Sequence, residues 1–150
     1  MKTKTLSIST EKFFDIHDLT QTVQDFLQEI GAKEGLVNVF TRHTTCAVRI
    51  NELEDGLMQD MKDVFFTEIA RPDRKWKHND LDGRAPETMC ASGECQNGHS
   101  HVIQMLLGSG ETVPVQQGKM QLGTWQHLLF FELDRPRNRE VVLSFVGECG

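Results

Sequence analysis

The stretch 127–134, HLLFFELD, constrains the fold more than any other part of the chain. Leu128, Leu129, Phe130, Phe131 and Leu133 place apolar side chains on both faces of a strand-length segment. A strand with one wet face alternates; a strand apolar on both sides is central to a sheet system or buried at an interface. Glu132 breaks the run. A carboxylate in such surroundings is costly unless it is paired, and Arg137 or Arg139 is the partner the sequence offers.

A second stretch, TRHTTCAVRINE at 41–52, reads as a half-buried strand with two unlike faces. At a two-residue period Cys46, Val48 and Ile50 point one way, and His43, Thr45, Arg49 and Asn51 the other, ending at Glu52. An imidazole, a hydroxyl, a guanidinium and an amide in a row offer directional donors and acceptors of the kind a ligand site needs. A polar face with a structural histidine is the plainer alternative.

Elements of both periods surround these strands. Residues 3–9 alternate as a first strand with Leu6 and Ile8 inward, and Phe13, Phe14 and Ile16 make a second apolar segment. Asp18 and Gln21 have the spacing of a capping box. Behind them Leu19, Val23, Phe26, Leu27 and Ile30 fall on one helical face, which Gly31 ends. Residues 35–41 form the next strand. Leu57, Met61, Val64, Phe65 and Ile69 define a helix stopped by Pro72, and Val102, Met105 and Leu106 one side of another, closed by Gly108. Three further strands follow. The order ββαββααβββ, with two or three helices outside antiparallel, sandwich-type sheets, is a single α+β domain over 1–150. The polar segment 71–97 has no clear period, and a loop that long inside a compact domain is usually functional or disordered; Trp76 and His78 favour a function.

Composition narrows the partners. With 16 basic against 22 acidic residues and a net charge of −6, no general affinity for nucleic acid or an anionic membrane surface is expected. The terminus MKTKTLSIST lacks the apolar stretch of a signal peptide, and no run reaches the roughly 18 residues of a membrane span. A soluble, cytoplasmic protein is the expectation. The four cysteines are too few for a disulfide scaffold. Cys46 reads as a small buried hydrophobe, while Cys90 and Cys95 bracket a loop that could close a small disulfide or, at zinc-ligand spacing but with no second pair following, bind metal with help.

The segments RHTTCAVRINE, WKH, NGHSHVIQMLLG and LGTWQHLLFFELD, followed by RNRE, resemble the YjbQ family in order and content. The resemblance covers nearly the whole chain. Its most specific parts are H-T-T with N-E eight residues on, then L-G-T-W-Q. The family pattern falls on His43, Thr44, Thr45, Asn51, Glu52, His78, Asn97, His101, Gly123, Thr124, Trp125, Gln126, Glu132 and Arg139, whereas His99 and His127 lie outside it. The resemblance implies a small homotrimeric α+β protein with sites near subunit boundaries, sometimes labelled a secondary thiamine-phosphate synthase, which joins a pyrimidine diphosphate to a thiazole phosphate.

From the residues, His43, His78 and His101 stand on separate segments. Three imidazoles and an open fourth position are the donor set of a catalytic zinc or another divalent metal; the same three also serve as acid/base groups or as unrelated structural residues. Asn51, Glu52 and Glu132, with His43, are the candidate catalytic groups, and Thr45, Trp125, Gln126 and Arg139 the candidates to hold substrate. Gln126 and Glu132 share parity and are expected to face one pocket. The chain has neither a glycine-rich phosphate loop nor a close Asp cluster for magnesium, both usual in diphosphate chemistry. Metal-assisted hydrolysis of a phosphorylated or acylated metabolite, and non-catalytic metabolite binding, are the alternatives to the synthase.

Overall fold

A computed structural model describes residues 1–89 and 96–150. In chain order it contains β1 (Lys2–Ser9), β2 (Asp15–Asp18), α1 (Thr20–Glu29), β3 (Ala32–Thr41), β4 (Cys46–Asn51), α2 (Asp55–Asp63), α3 (Gly98–Leu107), β5 (Gly110–Gln116), β6 (Lys119–Met120), β7 (His127–Glu132) and β8 (Asn138–Cys149). A π-helical turn, Val64–Ile69, continues α2, and two 3-10 turns, Lys77–Asn79 and Pro86–Thr88, interrupt the polar segment. The expected α+β plan holds, with β6 an additional short strand. Gln117 and Gly118, both at positive φ, make the tight reversal between β5 and β6, as such two-residue hairpin turns require.

Two antiparallel sheets form, one of five strands in the order β1-β8-β3-β5-β6 and one of three in the order β2-β7-β4. The doubly apolar strand is the middle strand of the smaller sheet, and its two faces feed two cores. Leu128 and Phe130 join Cys46, Val48, Val37, Leu143 and the buried face of α1. Leu129, Phe131 and Leu133 join Phe14, Ala47, Phe66 and Ile103 beneath the second and third helices. The layers are therefore large sheet, small sheet, and the second and third helices, with α1 joining the core between the sheets. No helix among the described residues is long and apolar enough to cross a membrane.

Three sequence expectations need correction. Helix α3 is turned round: Gly98, His99, Ser100 and Ile103 are buried, while Val102, Met105 and Leu106 are exposed, Met105 by 80%. The docked face carries Ile103 in the core and the Ser100 hydroxyl, which donates to Leu133 O at 2.6 Å, a bond that the Val102–Met105–Leu106 face could not make. In the 55–70 segment the π turn adds residues to the helical repeat. It rotates Val64 and Ile69 outward and Phe66, absent from the expected stripe, inward. The reciprocal capping box does not form either; Asp18 Oδ1 accepts from Thr20 N at 2.9 Å, and Gln21 turns to Asp25. Cys90 and Cys95, with the disulfide and metal readings attached to them, lie outside the described residues.

Candidate functional site

Glu132 ends β7 fully buried. The bond network around it is the polar centre of the molecule. Arg139, near the start of β8 and 5% exposed, donates Nε to Oε2 at 2.6 Å and Nη2 to Oε1 at 2.8 Å. This is the two-pronged geometry in which guanidinium and carboxylate match best. Arg139 Nη2 also reaches Thr45 Oγ1 at 3.2 Å, Asp134 N donates to Oε1 at 3.0 Å, and Thr10 Oγ1 stands 3.2 Å from Oε2. Burial acts against the Arg139 charge, yet the bonds to Glu132 hold its pKa above the ordinary value. The Cys46 thiol, 3.8 Å from the same carboxylate, is pushed up to about 12 by burial and by that negative neighbour.

His43 stands beside this pair, not in it. It precedes β4 in a turn, and its Nε2 accepts from Glu140 N at 3.0 Å. Burial, then the Arg139 charge, lowers its pKa below the ordinary 6.5, so the ring is neutral at pH 7. A cleft of about 480 Å³ opens here, lined by Ser7, Ser9, His43, Asn138 and Arg139 among others.

The second histidine position lies where the polar segment meets α3. Gly98 opens the helix against the Trp76 side chain; a Cβ there would come within 2.8 Å of Trp76 Cβ. Asn79 Oδ1 accepts from Gly98 N at 3.0 Å. These two contacts fix the turn between them, and His78 is brought onto His101, with ring centroids 4.5 Å apart. The two positions are linked, since Asn97 Nδ2 donates to Asp134 Oδ2 at 2.9 Å and Asp134 leads through its backbone N–H to Glu132.

A network of Thr45, Glu132 and Arg139 beside His43, with His78 on His101 at the head of α3, uses the positions of one sequence pattern. The model of that pattern, described as UPF0047 protein YjbQ-like, matches residues 4–148. The chain belongs to the YjbQ family. A UPF0047 protein of Methanothermobacter thermautotrophicus is 36% identical over 146 residues, covering 97% of this chain and 92% of the relative. YugU of Bacillus subtilis is 33% identical over 146 residues, covering 96% and 98%. Among solved structures, a hypothetical protein of Aeropyrum pernix K1 superposes with a TM-score of 0.85 at 36% identity, covering 99% of this chain and 100% of the other. A protein of unknown function from Sulfolobus solfataricus P2 gives 0.85 at 33% identity, covering 98% and 97%.

The fold gathers only part of the YjbQ pattern. Thr45, Glu132 and Arg139 meet as described, and Glu132 has the partner expected of it. Asn51 and Glu52 do not join them; they are exposed at the far end of β4, on the order of 20 Å along the strand. Gln126 and Glu132 do not share a pocket. Gln126 precedes β7 in a turn, where its Oε1 accepts from Gly123 N at 2.8 Å, and Trp125 beside it is 70% exposed. The polar row read from His43 to Asn51 is not one face, because the strand begins only at Cys46; Ala47 packs into the helical core and Arg49 pairs with Glu111 at 2.7 Å. Among the described residues no three His, Cys, Asp or Glu side chains group to hold a metal ion. The expected triad therefore does not assemble here: His78 and His101 meet, while His43 Nε2 is bound to the Glu140 amide. Asp134 and Thr10 are the network members that sequence reading missed; Asp134 shares strand parity with Glu132, a signal that pointed to it, and Thr10 had none. His99 is also more than incidental, being 93% removed from solvent in ring contact with Phe13 and Phe66.

Proposed function

We propose that this YjbQ-family protein is a small-molecule enzyme whose reacting centre is the His78–His101 pair, acting on an anionic, phosphorylated metabolite. The observation that carries the reading is the contact of two imidazoles brought from a loop and a helix start, 4.5 Å between centroids. Paired imidazoles can take a proton at one ring and supply one at the other. The turn that carries His78 supports an anionic substrate: a cleft of about 340 Å³ on it is lined by Lys75, Trp76, Lys77, Asn79 and Asp80, and Arg74 lies over the Trp76 ring at 5.0 Å. The reaction that family resemblance implies, thiamine-phosphate formation, is the first to assay.

The same imidazole pair favours a second reading, metal-assisted hydrolysis of a phosphorylated or acylated metabolite. Two nitrogen ligands suit zinc, but a catalytic zinc has three protein ligands, so a further donor must come from beyond this pair.

We also place the expected homotrimer contact on the outer face of the large sheet. Leu36 and Val146 are paired across β3 and β8 and are 50% and 58% exposed. Along the same face stand Asn38, Phe40, Val142 and Ser144, with no charge among them. In a chain of net charge −6, an uncharged strip is where copies meet without like-charge repulsion.

The test is turnover of the untagged protein on the thiamine-phosphate precursors and on a panel of phosphate esters, with and without chelator, with zinc counted by plasma mass spectrometry. His101→Ala and His78→Asn are expected to lose roughly 10²–10⁴-fold in rate, as removal of a general acid or base does. Undiminished turnover in the double variant overturns the reading, and ligand binding without turnover of any substrate moves the protein to the non-catalytic class.

A further inference from the structure

A third cleft, of about 300 Å³, lies between the segment before β2 and α2. Its floor depends on an unusual backbone. Phe14 has φ +53, a left-handed conformation that costs a bulky residue about 1–3 kcal/mol. In extended chain Phe13 and Phe14 would point to opposite sides. The left-handed residue instead sends both rings to one aromatic cluster: Phe13 meets Phe66 edge-on at 4.6 Å, and Phe14 meets Phe66 at 5.6 Å. Lys12 is left at the rim.

The opposite wall is a single stripe of α2, with Asp55, Met58, Gln59 and Lys62 at i, i+3, i+4 and i+7. Helix α2 has an apolar stripe but no buried residue. Met58 and Met61 pack partly against the aromatic core; Met58 also lines the cleft, where it is the one apolar residue of this wall among Asp55, Gln59 and Lys62. Neither Lys12 nor Lys62 forms an ion pair among the described residues, although the Lys12 charge is felt by Asp15; Asp55 is the one carboxylate in the lining. The volume sits at the low end of small-molecule sites, which run from roughly 300 Å³ upward.

We infer that this cleft binds a small amphiphilic anion, with its apolar body over Phe13, Phe14 and Met58 and its carboxylate or phosphate between Lys12 and Lys62. The site is separate from the His78–His101 pair and does not depend on its reading.

The experiment is isothermal titration of the full chain with octyl phosphate below its micelle-forming concentration, alongside glycerol 3-phosphate (head without tail) and octyl glucoside (tail without charge). Saturable 1:1 binding of octyl phosphate alone is expected. It should weaken about tenfold or more in Lys12→Gln/Lys62→Gln, at one exposed and one partly exposed position, as removal of two counter-charges predicts. It should be unchanged in His101→Ala and in Leu36→Asp, which separates it from the imidazole pair and from the apolar sheet face. Equal affinity in the lysine double variant, or loss in either control, overturns the proposal, as does the absence of any binding to the wild type.

Discussion

Arg139 holds Glu132 by two near-parallel hydrogen bonds, at 2.6 and 2.8 Å, with the carboxylate fully buried. Oε1 and Oε2 each accept a further bond, from Asp134 N and toward Thr10. The pair ties β7 of the small sheet to β8 of the large one, so it fixes how the two sheets sit and holds Thr45 beside His43.

Removing one partner leaves the other charge buried and uncompensated, which costs about 3–5 kcal/mol. Arg139→Met is expected to lose stability on that scale in urea denaturation. Adding Glu132→Leu to it should restore much of the loss, because no charge then remains buried. A single variant as stable as wild type would show that the pair does not hold the sheets.

Burial, assisted by Arg139, lowers the pKa of His43, and burial, opposed by Asp134, lowers that of His99. The unfolded chain then takes up these protons at a higher pH than the native state. This contribution to stability is complete above about pH 6.5 and is lost as pH falls through the lower native values. The melting temperature should drop on acidification below pH 6.5, and drop less steeply in His43→Gln and in His99→Phe. Parallel pH profiles in all three proteins would refute the assignment.

Gly98 gives Trp76 its place, so Gly98→Ala should push the loop off α3. The expected readouts are a shift in tryptophan emission, faster amide exchange over 76–79 and a loss of about 1–3 kcal/mol from overpacking. If turnover at the His78–His101 pair is found, it should fall with the same substitution. An unaltered exchange pattern would mean that another contact docks the loop.

Cys46, buried with its thiol pushed up to about 12, should resist iodoacetamide in the native protein and react only on unfolding. Cys149 is exposed and should react at once. Peptide mapping distinguishes the two, and native labelling of Cys46 would show that the Glu132 pocket opens.

Leu36→Asp places a charge in the middle of the uncharged sheet face. Light scattering is expected to show the wild type as a trimer and the variant as a monomer with an unchanged fold. A variant that stays trimeric would move the contact elsewhere, the exposed face of α3 being the next place to test.

The sequence by itself determined the element order, the central place of β7 and the need of Glu132 for an arginine. Each follows from local periodicity or from the cost of a lone buried charge, and both physical rules act along the chain. Family resemblance added which histidines and polar residues to watch. Tertiary structure alone decided which of them meet. Helix α3 is apolar on two sides, and the face that docks is the one where Ser100 finds Leu133 O, Gly98 meets Trp76 and Ile103 enters the core. Thr45 and Arg139 converge on Glu132, whereas Asn51 and Gln126 point elsewhere, because strand ends and turns, not parity, set where a polar side chain finishes. His78 reaches His101 through the docking of Trp76 and Asn79 on Gly98, contacts between segments about twenty residues apart that no local pattern encodes.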